Sequence, residues 1–166
     1  MAAQKEALFK EVYSKYAKKI QRICLGYTGD SMLADDLLQE VFIKAWQNYD
    51  KFRGDAQIST WIYRIAVNTC LNHIRATKTK TTIPIETVSY AIANDDGDDK
   101  EDQVRMLYKC IAQLSEPDRL IITMLLEEIP YAEIAVATSI SDGNLRVKIH
   151  RIKQQLNTLF AQYERV

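Results

Sequence analysis

Leu145, Ile149, Ile152, Leu156 and Leu159 recur at steps of four, three, four and three residues. That is the interval of one face of an α-helix turning about 100° per residue, whereas a half-buried strand would alternate at every second position. The segment from about Asp142 to Tyr163 is therefore expected to be a helix with one buried stripe. With only five glycines and three prolines in 166 residues, turn formers are too few for a many-turned β architecture. The chain reads as all-α, and its length suits two small helical units better than one large core.

Further helices are expected from about Leu8 to Tyr27, Met32 to Tyr49, Thr60 to Thr77 and Tyr131 to Ala137. Thr28-Gly29-Asp30 punctuates the first two, and Asp30 or Ser31 is placed to cap the second. Ser115-Glu116-Pro117-Asp118 offers a cap, an early proline and an acid where helix starts favour them, and Pro130 repeats the early proline. Asp50 to Ser59, with Gly54 inside it, reads as a loop.

Charge divides the chain into three parts. Residues 1–77 carry 11 basic and 8 acidic side chains, residues 78–103 carry 3 and 7, and residues 104–166 carry 8 and 7. The total is zero, which argues against a bulk polycation coating nucleic acid. The middle part contains Asn94-Asp95-Asp96-Gly97-Asp98-Asp99, too polar to offset the entropy of ordering it. The expected organisation is thus a domain over 1–77, a flexible acidic linker over 78–103 and a second domain over 104–166. Ile83, Ile85, Val88, Tyr90 and Ile92 give one half of the linker enough apolar character to dock.

Three outward faces carry the functional signal. In the last helix Asn144, Val147, His150 and Arg151 lie opposite the buried stripe, with Arg146 and Lys148 on the shoulders. A short helix, the break at Ser139-Ile140-Ser141 and this basic helix describe a helix-turn-helix. Its second helix fits the roughly 12 Å major groove, where arginine pairs with guanine edges and asparagine with adenine. An ordinary helical hairpin with a solvated face has the same pattern. In the 60–77 helix, Trp61, Arg64, Asn68, Asn72 and Arg75 share a stripe, while Ile62, Ala66, Cys70 and Ile74 lie elsewhere. Amides, guanidinium groups and an indole suit phosphates, base edges and stacking on exposed bases; a plain polar surface would also explain them. In the 32–49 helix, Leu38, Val41, Phe42, Ala45 and Tyr49 form the core stripe. Asp36, Gln39, Glu40, Ile43 and Gln47 face outward, either as an apolar spot with a polar rim for a protein partner or as one stray aliphatic.

Other chemistry is harder to place. Cys24, Cys70 and Cys110 are far apart, with only His73 and His150 to assist, and zinc needs about four clustered ligands. The cysteines are expected to be reduced and core-facing. No cofactor, small-molecule substrate, phosphate loop or nucleophile–base arrangement is indicated, so the chain is not expected to be an enzyme. Neither a signal peptide nor an apolar run of roughly 18 residues is present, so the protein is expected to be soluble.

Taken together, these blocks resemble the extracytoplasmic-function (ECF) sigma factors of RNA polymerase. Leu33 through Trp46 is similar to that family's polymerase-docking helix, Thr60 through Asn72 to its minus-ten promoter helix, and Tyr131 through Arg151 to its minus-thirty-five helix-turn-helix. The resemblance implies that Asp36, Gln39, Glu40 and Ile43 face core RNA polymerase. It implies that the loop from Phe52 and Arg53 to Ser59 captures an unstacked base, and that Trp61, Arg64, Asn68, Asn72 and Arg75 follow the melting strand. Asn144, Arg146, Val147, Lys148, His150 and Arg151 would meet the upstream promoter DNA, and the linker would thread into the polymerase near the RNA path. A glycine commonly occupies the turn held here by Ser139, so Ser139 is expected to adopt a glycine-like backbone angle; threonine is usual at Asn144. An anti-sigma factor is a further implied partner, with a cytoplasmic location or retention at the inner membrane by that partner.

On the residues alone, two other readings stay open. A stand-alone helix-turn-helix repressor or activator would leave the faces of 35–46 and 61–75 unexplained. A pure interaction protein would not need Arg146 and Arg151.

Overall fold

The computed structural model describes residues 1–77 and 98–165. Among them are seven α-helices and one 3-10 turn: α1 (Ala2–Thr28), α2 (Ser31–Asn48), the turn Tyr49–Lys51, α3 (Ile58–Thr77), α4 (Asp98–Ala112), α5 (Glu116–Leu126), α6 (Tyr131–Thr138) and α7 (Asp142–Glu164). The all-α expectation holds. The expected linker lies mostly outside the described residues, including the apolar positions between Ile83 and Ile92.

Local chemistry explains the boundaries. α1 stops where Gly29 turns left-handed, at φ 70°, and its N–H reaches the Leu25 carbonyl at 2.8 Å. Asp30, not Ser31, caps α2: its carboxylate accepts from the N–H groups of Met32 at 2.9 Å and Leu33 at 3.3 Å, satisfying two donors that the first turn leaves unpaired. Ser115 makes no side-chain cap, so α5 starts on the proline and on Glu116 and Asp118, which favour the positive end of the helix dipole.

Two starts differ from expectation. α1 begins at Ala2, six residues before the apolar period does, because Ala2, Ala3, Gln4, Lys5 and Glu6 are mostly strong helix formers. Lys5 also ties this turn down, its ammonium 2.9 Å from Asp50 and 4.5 Å from the centre of the Trp46 ring. α4 begins at Asp98, so residues 98–103, assigned by charge to the linker, are helical. Acids in a first turn favour a helix through its dipole, and Glu101 pairs with Arg105 one turn on at 3.0 Å.

α1, α2 and α3 form a first lobe around Ile20, Ile23, Leu37, Val41, Ile62 and Ala66, all buried. Leu37 is buried where the expected stripe had Leu38, which is half-buried. The second lobe closes around Ile111, Leu120, Met124, Ile134, Leu145, Ile149 and Ile152. The three cysteines are buried and free, with the Cys24 and Cys70 sulfurs 4.0 Å apart. That contact, followed by burial, pushes the Cys70 thiol well above its ordinary value.

The lobes also pack on one another, α1 against α5 and α3 against α6. A Cβ on Gly26 would collide with the Thr123 side chain, so the missing side chain is what lets α1 and α5 approach. Arg22 meets Glu127 at 3.3 Å, Ser59 donates to Glu133 at 2.9 Å, and the Arg119 guanidinium lies 5.6 Å from the centre of the Tyr27 ring. Tyr63, packed edge-on to Tyr16 at 5.9 Å, has its hydroxyl pushed up to about 12 by burial and then by the Glu133 carboxylate.

Candidate nucleic-acid interface

Each of the three outward faces is presented to solvent by a helix whose other side is buried. On α2, Asp36, Gln39 and Glu40 are exposed and Ile43 is 56% exposed. Val41, Phe42 and Ala45 are buried on the same helix, which fixes this rotation. Glu40 pairs with Lys44 at 2.8 Å along the helix.

On α3, Arg64, Asn68, Asn72 and Arg75 are exposed over the buried Ile62, Ala66, Cys70 and Ile74. The helix holds no carboxylate between Ile58 and Thr77, so its outward stripe is cationic. Trp61 is half-buried and belongs to an aromatic group rather than to an open stripe. Its ring lies 5.1 Å from that of Phe52 and 6.3 Å from that of Tyr49. The loop between them bends at Gly54, whose φ of 77° suits a residue without a side chain. Phe52 and Trp61 therefore flank the start of α3 together, with Arg53 exposed beside them. Helical spacing places Tyr49 in line with the core stripe of α2, and its pairing with Trp61 depends on the 3-10 turn, which no periodicity marks.

On α7, Leu145, Ile149, Ile152 and Leu156 are buried, and Asn144, Arg146, Val147, His150 and Arg151 are exposed. The preceding turn is tight. Ser139 sits at φ 58°, ψ 35°, the glycine-like angle expected of it. The N–H of Ile140 returns to the Ala135 carbonyl at 3.0 Å, and the Ser141 hydroxyl accepts from the Asn144 N–H at 3.4 Å. This turn and cap seat α7 beside α6 with its N-terminal end outward. Two basic residues on this helix are drawn toward protein. The Arg146 guanidinium lies 5.2 Å from the centre of the Tyr131 ring. Lys148 is half-buried, its ammonium 3.2 Å from Asp118 on α5. Neither contact is legible in a helical wheel.

Among the described residues, no group of three or more His, Cys, Asp or Glu side chains could hold a metal ion. No helix there is long and apolar enough to cross a membrane. The surfaces offer charge, amides, aromatic rings and one aliphatic crest, which are means of binding.

Comparison with known proteins follows the same division. Residues 12–80 match the Sigma-70 region 2 family and residues 105–156 the Sigma-70 region 4 family. The chain is 30% identical over 164 residues to the ECF RNA polymerase sigma-E factor of Escherichia coli K12, covering 90% of this chain and 84% of that protein. It is 30% identical over 156 residues to the RNA polymerase sigma-H factor of Pseudomonas aeruginosa, covering 86% and 81%. It is 29% identical over 161 residues to the ECF sigma factor SigW of Bacillus subtilis, covering 89% and 86%. In fold, it matches the sigma factor RpoE solved with the anti-sigma factor NepR from Bartonella quintana, with a TM-score of 0.74, 20% identity and coverage of 92% and 96%. CnrH, solved with the cytosolic domain of CnrY, matches with a TM-score of 0.73, 17% identity and coverage of 97% and 95%. The chain belongs to the ECF sigma factors, transcription initiation factors that direct RNA polymerase to promoters.

Proposed function

We propose that this chain works purely by binding, gripping core RNA polymerase and two promoter elements through three separate surfaces. Residues 1–77 dock on the polymerase through Asp36, Gln39, Glu40 and Ile43. They engage the minus-ten element through Phe52, Arg53, Trp61, Arg64, Asn68, Asn72 and Arg75. Residues 104–166 meet the minus-thirty-five element through Asn144, Arg146, Val147, His150 and Arg151, with Lys148 braced against α5. Residues 78–103 join the two domains, and their last six already form the start of α4. Joining raises the effective concentration of the second domain once the first is bound.

The observation that carries this reading is the simultaneous exposure of Asp36, Asn68 and Arg146 on three different helices. Extruding a base from the duplex costs a few kcal/mol, and the paired rings of Phe52 and Trp61 beside Arg53 supply an apolar, cationic edge that offsets it. Placement in the cytoplasm, where the polymerase works, and control by an anti-sigma factor, held at the inner membrane where that partner is anchored, complete the proposal. The complex of RpoE with the anti-sigma factor NepR supports control by such a partner through likeness of fold.

The test is capture of core polymerase by the purified chain, followed by run-off transcription from promoters selected by the assembled complex. Capture together with promoter-dependent transcripts is expected. Duplex binding without capture would favour a stand-alone regulator.

A further inference from the structure

On the proposed assignment of α7 to the upstream promoter element, the structure points to the kind of base that it selects. At 100° per residue, Val147 lies directly opposite the centre of the buried stripe formed by Leu145, Ile149, Ile152 and Leu156. It is 52% exposed at the crest of the outward face. The cationic groups nearest it in sequence lean away, Arg146 toward Tyr131 and Lys148 toward Asp118. What stands highest around Val147 is Asn144 and Arg151 on one side and His150 on the other, all exposed.

One exposed valine is unremarkable by itself. Gly143 gives it meaning. It lies one turn earlier, close to the line of Val147, inside the first turn of α7. Its φ is not in the left-handed region, and a Cβ built there would meet nothing within 4 Å. Glycine within a helix is less stable than alanine by roughly 0.5–1 kcal/mol. Among the described residues, neither backbone angle nor crowding accounts for its presence. A crest that lacks a side chain at one turn and carries a compact aliphatic at the next suits close approach to a surface with an apolar spot.

The major groove has such a spot. Every base pair presents hydrogen-bond donors and acceptors there, and the apolar group among them is the C5 methyl of thymine. We propose that Val147 selects a thymine in the upstream promoter element by packing its isopropyl group on that methyl, with Gly143 allowing the helix to sit close enough. Three and four residues of helix rise about 4.5 and about 6 Å, and a base-pair step about 3.4 Å. The thymine therefore lies within one or two pairs of those reached by Asn144 and Arg151.

The experiment uses the full chain assembled with core polymerase. The upstream element is first selected from promoters randomised in that region. Each of its thymines is then replaced singly by deoxyuridine, which removes the methyl and leaves the pairing groups unchanged. Losing contact with one methyl corresponds to about 0.8 kcal/mol, or roughly a fourfold loss of affinity. One position is expected to show that loss with the native chain and none with Val147→Ala, while other positions respond equally in both. Insensitivity at every thymine, or equal sensitivity in Val147→Ala, overturns the proposal while leaving α7 as the upstream reader. Absence of any sequence selection upstream removes the assignment of α7 itself, and this proposal with it.

Discussion

The guanidinium of Arg22 on α1 lies 3.3 Å from the carboxylate of Glu127, just past the end of α5, joining the two lobes across 105 residues of sequence. The pair is unequal: the Arg22 side chain is 56% exposed and that of Glu127 only 12%. Removing the arginine leaves a mostly enclosed carboxylate without its partner. Arg22→Ala is expected to cost about 1 kcal/mol, a value kept small because Arg22 is largely solvated. The swapped double variant Arg22→Glu with Glu127→Arg should recover part of it. Urea unfolding of both variants measures the effect, and equal stability throughout would show the pair to be idle.

The contact of Gly26 with Thr123 predicts the opposite of a propensity argument. Alanine in place of a helical glycine ordinarily stabilises by up to about 1 kcal/mol. Here the new methyl meets the threonine side chain, and overpacking of this kind costs about 1–3 kcal/mol. Gly26→Ala should therefore lower the melting temperature, and adding Thr123→Ala should restore it. A more stable single variant would mean that the lobes do not approach as closely as described.

Ser139 holds its left-handed angle without the freedom that glycine has. Ser139→Gly should stabilise the fold by about 0.5–1 kcal/mol, since a side chain in that region costs roughly this much. Because glycine adopts the same backbone angle and so keeps the turn that seats α7, promoter selection should be unchanged. Thermal melts and selection from randomised promoters separate the two effects.

Tyr63 makes stability depend on pH on the alkaline side. Its hydroxyl is pushed from near 10 up to about 12 in the folded chain, by burial first and Glu133 second. Burial also raises Tyr27 strongly. A group held protonated more tightly in the folded state contributes its full stability below its unfolded value. That contribution is lost as pH rises through the folded value. Melting temperature should thus fall between about pH 10 and pH 12, less steeply in Tyr63→Phe.

The acidic edge of α2 can be tested by charge reversal. Asp36→Lys with Glu40→Lys should abolish capture of core polymerase and leave the helical circular dichroism unchanged, because both side chains are exposed. Glu40→Lys also places a second cation one turn from Lys44, a loss of a few tenths of a kcal/mol along the helix. Normal capture would move the docking surface elsewhere.

What was legible in the sequence follows from what repeats along a helix. The stripe at Leu145, Ile149, Ile152 and Leu156 is buried as its spacing requires, and Asp30 caps where its residue type favours capping. Ser139 shows that a departure from an expected glycine can signal a backbone angle. Contacts between helices remote in sequence leave no such trace. Nothing in the order of residues marks Lys148 for Asp118, Ser59 for Glu133, or Phe52 for Trp61. The early start of α4 was hidden because acids that discourage a core also favour a helix's first turn. For the candidate site, periodicity identified which side chains point outward. It was silent on which of them lean on a neighbour, and that separates Lys148 from Arg151.

Apolar packing runs from one lobe into the other, and around it at the seam lie an ion pair, a serine–carboxylate hydrogen bond, and tyrosines flanked by charge. Water can replace every one of these polar contacts when the halves come apart, and only the aliphatic patch they surround would resist wetting. The cost of parting the halves is therefore set by the apolar area that crosses the seam, more than by the polar contacts that rim it.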